Sequence, residues 1–207
     1  MESEKEELFL TKEELSALPP EKYTKQIVVV NTEEEADEAV KYLSRFKIIG
    51  FDSETRPSFK KGVYHQVALI QLSAGELTYL FRINRIGIPA SLKSLFGDAR
   101  VIKVGLSLKD DFSVLRRLDA SLQFTSFIEL QNLVQKFNIK NRGLRGIYGV
   151  LFGKRILKSQ RLSNWEAEKL GDSQKEYAAL DAWATLQIYI YLMKYGVNGT
   201  IIKQPHE

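Results

Sequence analysis

Cysteine is absent from this 207-residue chain. Its absence removes disulfides, thiolate nucleophiles and thiolate zinc sites together. Histidine is scarce: His65 and His206 are the only two, and His206 lies in a polar C-terminal tail. A metal bound here must therefore be held mainly by oxygen, which favours magnesium or manganese, and a histidine general base is not expected. No apolar run approaches the ~20 residues of a membrane-spanning helix, so no membrane partner is expected. The opening residues Met1–Glu7 are too acidic for a signal peptide, which predicts a cytoplasmic protein.

What is present fits an ordinary globular chain: 44% hydrophobic and 27% charged residues, enough for one substantial core. A formal charge of +4 suits a polyanionic partner without requiring one. Residues 1–25 read as a peripheral segment, with a capping box at Thr11–Glu14 starting a short helix before Pro19 and Pro20. Gln26–Val30 is a β-branched strand, and Thr32 opens a helix to about Phe46 with Ala36, Ala39, Val40 and Leu43 along one side. Its glutamates read as first-turn acids that complement the helix dipole. Ile48–Thr55, Gln66–Ser73 and Leu77–Phe81 form a three-stranded antiparallel meander. A short helix follows from Pro89 to Gly97. Strands over Arg100–Val104 and Phe124–Ile128 then alternate with helices over Ser107–Leu118 and up to Phe137. Gly143–Leu151 reads as helical, and the last long helix runs from Ser173, taken as part of its cap, to about Tyr195. Three antiparallel strands followed by parallel β-α units predict an α/β fold with a mixed sheet and helices on both faces. One domain over residues 26–195 with a tail over 196–207 is expected.

Acidic residues stand out in three places. Asp52 and Glu54 end an uncharged strand two residues apart, so both side chains leave from one face. Such a pair at the edge of a core is costly without a cation beside it. Asp110 and Asp111 lie in the first turn after Ser107; Asp110 is explained as a capping carboxylate, and between a dipole acid and a ligand either aspartate remains open. The third place is Asp181, the one charge between Tyr177 and Met193 in a helix apolar nearly all round. Such a helix is buried, and a buried carboxylate must be paired or metal-bound. Tyr177 lies four residues earlier, on the same helical face.

Phe51-Asp-Ser-Glu54, Lys103-Val-Gly105 with Asp111-Phe-Ser-Val-Leu115, and Tyr177-Ala-Ala-Leu-Asp181 resemble, in order and spacing, the three motifs of the ribonuclease-D-like 3′–5′ exonucleases. This is the tyrosine branch of the DEDD superfamily, on a ribonuclease-H-like fold. Val67-Ala-Leu-Ile-Gln-Leu72, Tyr79-Leu-Phe81 and Leu162-Ser-Asn-Trp165 look most like its Werner-type members. The resemblance covers roughly residues 26–192.

The resemblance implies a hydrolase that shortens nucleic acid from the 3′ end. By it, Asp52, Glu54, Asp111 and Asp181 are ligands of two Mg2+ or Mn2+ ions, and it selects Asp111 over Asp110. Tyr177 would be the catalytic tyrosine that orients the attacking water, with Glu54 near the terminal 3′ hydroxyl. The expected partner is nucleic acid with a single-stranded or recessed 3′ end. DNA is preferred by likeness to the Werner-type members, and by the short chain after the catalytic helix, which leaves no room for an accessory helical domain. RNA 3′-end processing and a catalytically silent nucleic-acid-binding module are the alternatives. Lys154, Arg155, Lys158 and Arg161 are candidate phosphate contacts, and Trp165 reads as a packing residue rather than a base-stacking one.

Overall fold

The computed structural model describes residues 7–60, 62, 64–197, 200 and 201, so the expectations for residues 1–6 and for His206 lie outside the described residues. In chain order the elements are α1 (Lys12–Ala17), β1 (Gln26–Val30), α2 (Glu33–Leu43), β2 (Ile48–Thr55), β3 (Val67–Ala74) and β4 (Leu77–Phe81). Then come α3 (Ile83–Ile86), α4 (Ala90–Gly97), β5 (Ile102–Gly105), α5 (Leu108–Leu118), β6 (Phe127–Glu129) and α6 (Leu130–Gln135). The chain continues through α7 (Leu144–Phe152), α8 (Asp172–Tyr195) and a small ribbon, β7 (Gly196–Val197) with β8 (Thr200–Ile201).

Six strands make one mixed sheet in the order β1-β4-β3-β2-β5-β6. The meander β2-β3-β4 is antiparallel, β5 and β6 continue parallel to β2, and β1 adds parallel to β4 at the far edge. Every residue of β3 is buried, as a central strand covered on both faces requires. One face packs against α2, α4 and α5 through Ile49, Phe51, Leu72, Leu95 and Leu115. The other packs against α6, α7 and α8 through Val104, Val134, Ile147 and Ile188.

On the first face Phe112 of α5 stacks on Phe124 at 4.0 Å between ring centroids, and Phe127 meets Phe51 edge-on at 5.4 Å. Each such pair contributes ~0.5–1.5 kcal/mol beyond its buried area and fixes α5 against the sheet. On the second face α8 lies unusually close to β2. Alanines at positions 178, 179, 182 and 184 thin the helix, and Gly50 meets it without a side chain. A Cβ at Gly50 would overlap the carbonyl oxygen of Ala182 and crowd Leu186 and Thr185 at 3.0 Å.

Local details depart from the sequence reading where tertiary contacts take over. Phe124 packs on Phe112 ahead of β6, so that strand begins three residues later than expected. The N-cap of α8 is Gly171, whose N–H donates to Oε1 of Gln174, which leaves Ser173 inside the first turn. Ser107 stands at the N-cap of α5 with φ 63° and makes no side-chain cap, so Asp110 has no cap partner there and is exposed. Glu129 from β6 does the capping: its carboxylate accepts from Ser107 N at 3.1 Å and Leu108 N at 2.8 Å.

The segment read as peripheral lies along α7. Leu8 bridges to Ile139, Asn141 exchanges both amide hydrogen bonds with the Leu10 backbone, and Glu21 accepts from Tyr148 at 2.7 Å.

Because the clash at Gly50 is with helix backbone rather than a movable side-chain tip, Gly50→Ala is expected to cost about 3 kcal/mol, at the upper end for overpacking. Denaturant melts against the parent would read it; an unchanged midpoint would refute the tight β2–α8 contact.

Candidate active site

Side chains alternate along β2, so Asp52 and Glu54 share the α8-facing side with Gly50. Past Glu54 the β2–β3 register slips, a bulge that ends regular pairing where the acids emerge. Asp181 stands one residue before Ala182, so the close helix crossing delivers its carboxylate to the same point. Asp52, Glu54 and Asp181 each offer an oxygen within 4.8 Å of the other two. Asp111 arrives from the other side of the strand. Ser53, which alternation turns away from Asp52 and Glu54, donates from Oγ to Asp111 Oδ1 at 2.5 Å.

Burial and mutual repulsion shape the charges. Asp52 is pushed well above the usual carboxylate range by burial, then by Asp181, Glu54 and Asp111. Glu54 is pushed up to about 9, first by burial and then by Asp181 and Asp111, with Arg161 opposing. Asp111 rises to about 6 through burial against the restraining Ser53 hydrogen bond. Asp181, 7% exposed, rises to about 7 through burial, held back by the nearby Tyr177 hydroxyl and by the charge of Lys158. Directly across the ladder from Asp52 lies Gln71, fully buried, with neither amide atom in a hydrogen bond.

Tyr177 is itself raised by burial and by the charges of Asp181 and Glu54, so its hydroxyl holds its proton beside Asp181. Its ring leans on Trp165 at 6.0 Å between centroids. Trp165 is fully buried with Leu69, Leu80 and Ala178, as the packing reading expects. The segment carrying it is pinned to the turn after β4 and to α3: Arg82, 2% exposed, donates to the carbonyl of Ala167, and Arg85 to that of Glu168. Arg56 adds an ion pair with Glu166 at 3.1 Å.

The basic run divides in two. Lys158 acts on Asp181 and Arg161 on Glu54, so both face the acids. Lys154 instead pairs with Glu21 at 3.1 Å, and Arg155 donates to the Ser16 carbonyl, so this half anchors the N-terminal segment.

Residues 27–196 match the family model for the 3′–5′ exonuclease domain. The chain belongs to the 3′–5′ exonuclease family. It is 37% identical over 166 residues to the mouse bifunctional 3′–5′ exonuclease/ATP-dependent helicase WRN, covering 77% of this chain and 12% of that protein. An Arabidopsis thaliana 3′–5′ exonuclease is 36% identical over 152 residues, covering 70% of this chain and 52% of the relative. The chain thus spans about half or less of the length of these relatives. Among solved structures, Escherichia coli RNase D superposes with a TM-score of 0.72 at 25% identity, covering 83% of this chain and 44% of that one. The resemblance drawn from the three motifs holds, and so does the mixed-sheet fold with helices on both faces.

The exonuclease fold brings Asp52, Glu54, Asp181 and Tyr177 together and sets Asp111 beside them through Ser53. A divalent cation fits this exonuclease site on its chemistry. Carboxylates, one buried and two half-buried, converge on one point, their donors are all oxygen, and the cations nearby oppose only part of the repulsion. Ser53, Glu129 and Gln71 were not read from the sequence as site residues. Ser53 carried a signal, since a hydroxyl flanked by two acids in a strand must serve the opposite face. Among the described residues no helix is long and apolar enough to cross a membrane.

Each raised carboxyl contributes stability that is fully present below its unfolded pKa near about 4 and is lost as pH rises through the folded value. For Asp111, Asp181 and Glu54 those values are about 6, about 7 and about 9. In chelator, the melting temperature is therefore expected to fall by several degrees between about pH 5 and about pH 9, with Glu54→Gln flattening the upper part. Added Mg2+ or Mn2+ should oppose the fall. A metal-free melting temperature that rises over this range would contradict the crowding of the acids.

Proposed function

We propose that this chain is a divalent-metal-dependent 3′–5′ exonuclease that hydrolyses nucleic acid from its 3′ end, releases nucleoside 5′-monophosphates and prefers DNA. The observation that carries this reading is the convergence of three carboxylates from β2 and α8, Asp181 buried and Asp52 and Glu54 half-buried, with Tyr177 one helical turn from Asp181 and acted on by its charge. Asp52, Glu54, Asp111 and Asp181 would hold two Mg2+ or Mn2+ ions. Bound there, such ions would activate water and stabilise the leaving 3′ oxygen.

The chain's own residues have separable tasks. Tyr177 Oη, backed by Trp165, orients the attacking water beside Asp181. Its proton is held by the same carboxylate charges that a cation would neutralise, so the phenol becomes more acidic once the site is loaded. Glu54, at the bulged end of β2, is available to the terminal 3′ hydroxyl. Ser53 keeps Asp111 turned toward the strand end. Lys158 and Arg161 are suited to the substrate phosphate, whereas Lys154 and Arg155 are engaged elsewhere.

The likeness of Val67–Leu72, Tyr79–Phe81 and Leu162–Trp165 to the Werner-type members supports DNA over RNA. RNase D, 25% identical, is an exoribonuclease involved in structured RNA processing. RNA 3′-end processing is the second reading, carried by that RNase D likeness.

A 5′-labelled strand should shorten stepwise from its 3′ end with magnesium or manganese and stay intact in chelator. Parallel DNA and RNA substrates decide between the two readings. Asp181→Ala is expected to lower the rate at least ~10^3-fold while retaining strand binding, and Tyr177→Phe to lower it ~10^2-fold or more. Wild-type-like cleavage by Asp181→Ala would refute the assigned site, and an intact strand with both metals would refute the activity.

A further inference from the structure

Beside the acids lies a cavity of about 460 Å3 that the catalytic residues alone do not account for. Tyr177 and Asp181 of α8, Arg145 of α7, Lys158, and Lys12 and Ser16 of α1 line it together, and α1 makes its outer wall, the side that the shared domain does not supply. The outer wall comes from residues that precede the family-matched span of 27–196. It is fixed in place. Asn141 accepts from Leu10 N and donates to Leu10 O, both at 2.9 Å, and Leu15 and Leu18 close on Gly149 of α7.

The charges in this cavity are unbalanced. Lys25, Lys93, Arg100, Lys140, Lys154 and Lys175 are taken up in ion pairs with carboxylates. Among the described residues Lys12, Arg145 and Lys158 make no such pair, and Arg145 Nε is buried without a hydrogen-bond partner. Arg145 and Lys158 also repel one another. Like charges held together out of full solvent favour a bound anion, as the carboxylates beside them favour a cation. The start of α7 adds to this, because Gly143 provides no side-chain cap and Gly143, Leu144, Arg145 and Gly146 line the same cavity.

The geometry points to a binding groove for the substrate strand on the 5′ side of the scissile phosphate, with Lys12, Arg145 and Lys158 contacting successive phosphates of its backbone. The cavity holds Asp181 and three cations from separate parts of the chain, so it suits a ligand with several anionic groups rather than a single released phosphate. It rests on the exonuclease reading for its direction. Grip on the strand then depends on α1, a part of this chain that the shared domain does not include.

The test is fluorescence anisotropy with labelled DNA strands of about two and about eight nucleotides, in excess chelator so that no strand is cut. Lys12→Glu and Arg145→Glu are each expected to weaken the longer strand about tenfold and to lower its salt slope by about one, while removing most of the advantage that length confers. Lys41→Glu on α2, across the sheet, makes the same charge change and is expected to alter neither strand by more than about twofold. Equal binding of the longer strand by Lys12→Glu and the parent, or an equal loss in Lys41→Glu, overturns the groove. So does a matching loss of affinity for a nucleoside 5′-monophosphate competitor, which would mark the cavity as a product site. Should the half-buried Arg145→Glu fail to fold, Lys12→Glu on the exposed rim decides alone. Failure of the exonuclease reading shows separately, as an intact strand when the parent is given metal, and leaves the binding comparison readable.

Discussion

Asp52, Glu54 and Asp181 are held where their charges repel, and the fold can hold them only because α8 is locked to β2 at Gly50. That contact has no slack. A glycine on the strand and small residues on the helix bring two backbones together, and the carboxylates follow as passengers of that approach. The aromatic cluster on the opposite face fixes the third contributor, α5, by stacking Phe112 on Phe124 against Phe127 and Phe51. Close packing on both faces is what keeps four acids from separating when nothing neutralises them.

Much of this is legible in the sequence, and the reason is periodicity. The alternation that sends Asp52 and Glu54 to one side and the apolar helix around Asp181 are strong local signals, and both survive into the structure. The meander and the later parallel units were legible for the same reason. What was not legible depends on partners distant in sequence. Nothing local to Ser107 indicates that a glutamate twenty-two residues later supplies its cap. The split of the basic run into Lys158 and Arg161, which face the acids, and Lys154 and Arg155, which do not, follows from where Glu21 and Ser16 lie. Arg145 is not marked in the sequence, because it sits in a helix whose pattern speaks only of burial.

The two sets of like charges give the site its logic. Carboxylates gathered at the end of β2 require positive charge, and the cations gathered against α7 require negative charge. Because Lys158 and Arg161 act on Asp181 and Glu54, each set partly relieves the other. A nucleic-acid strand and its metal ions would complete both at once, so each would bind more tightly in the presence of the other.

The hold of Arg82 and Arg85 on the carbonyls of Ala167 and Glu168 has a consequence for how the protein fails. Trp165, and through it Tyr177, is braced by a segment without regular secondary structure, tied to the turn after β4 and to α3 by a few side-chain bonds, whereas the acids of β2 belong to the sheet itself. Local opening of that segment takes less free energy than melting the sheet. The phenol would thus lose its backing before the carboxylates lose their positions, and warming would pass through a state in which the acids stay gathered while Tyr177 is no longer held beside Asp181.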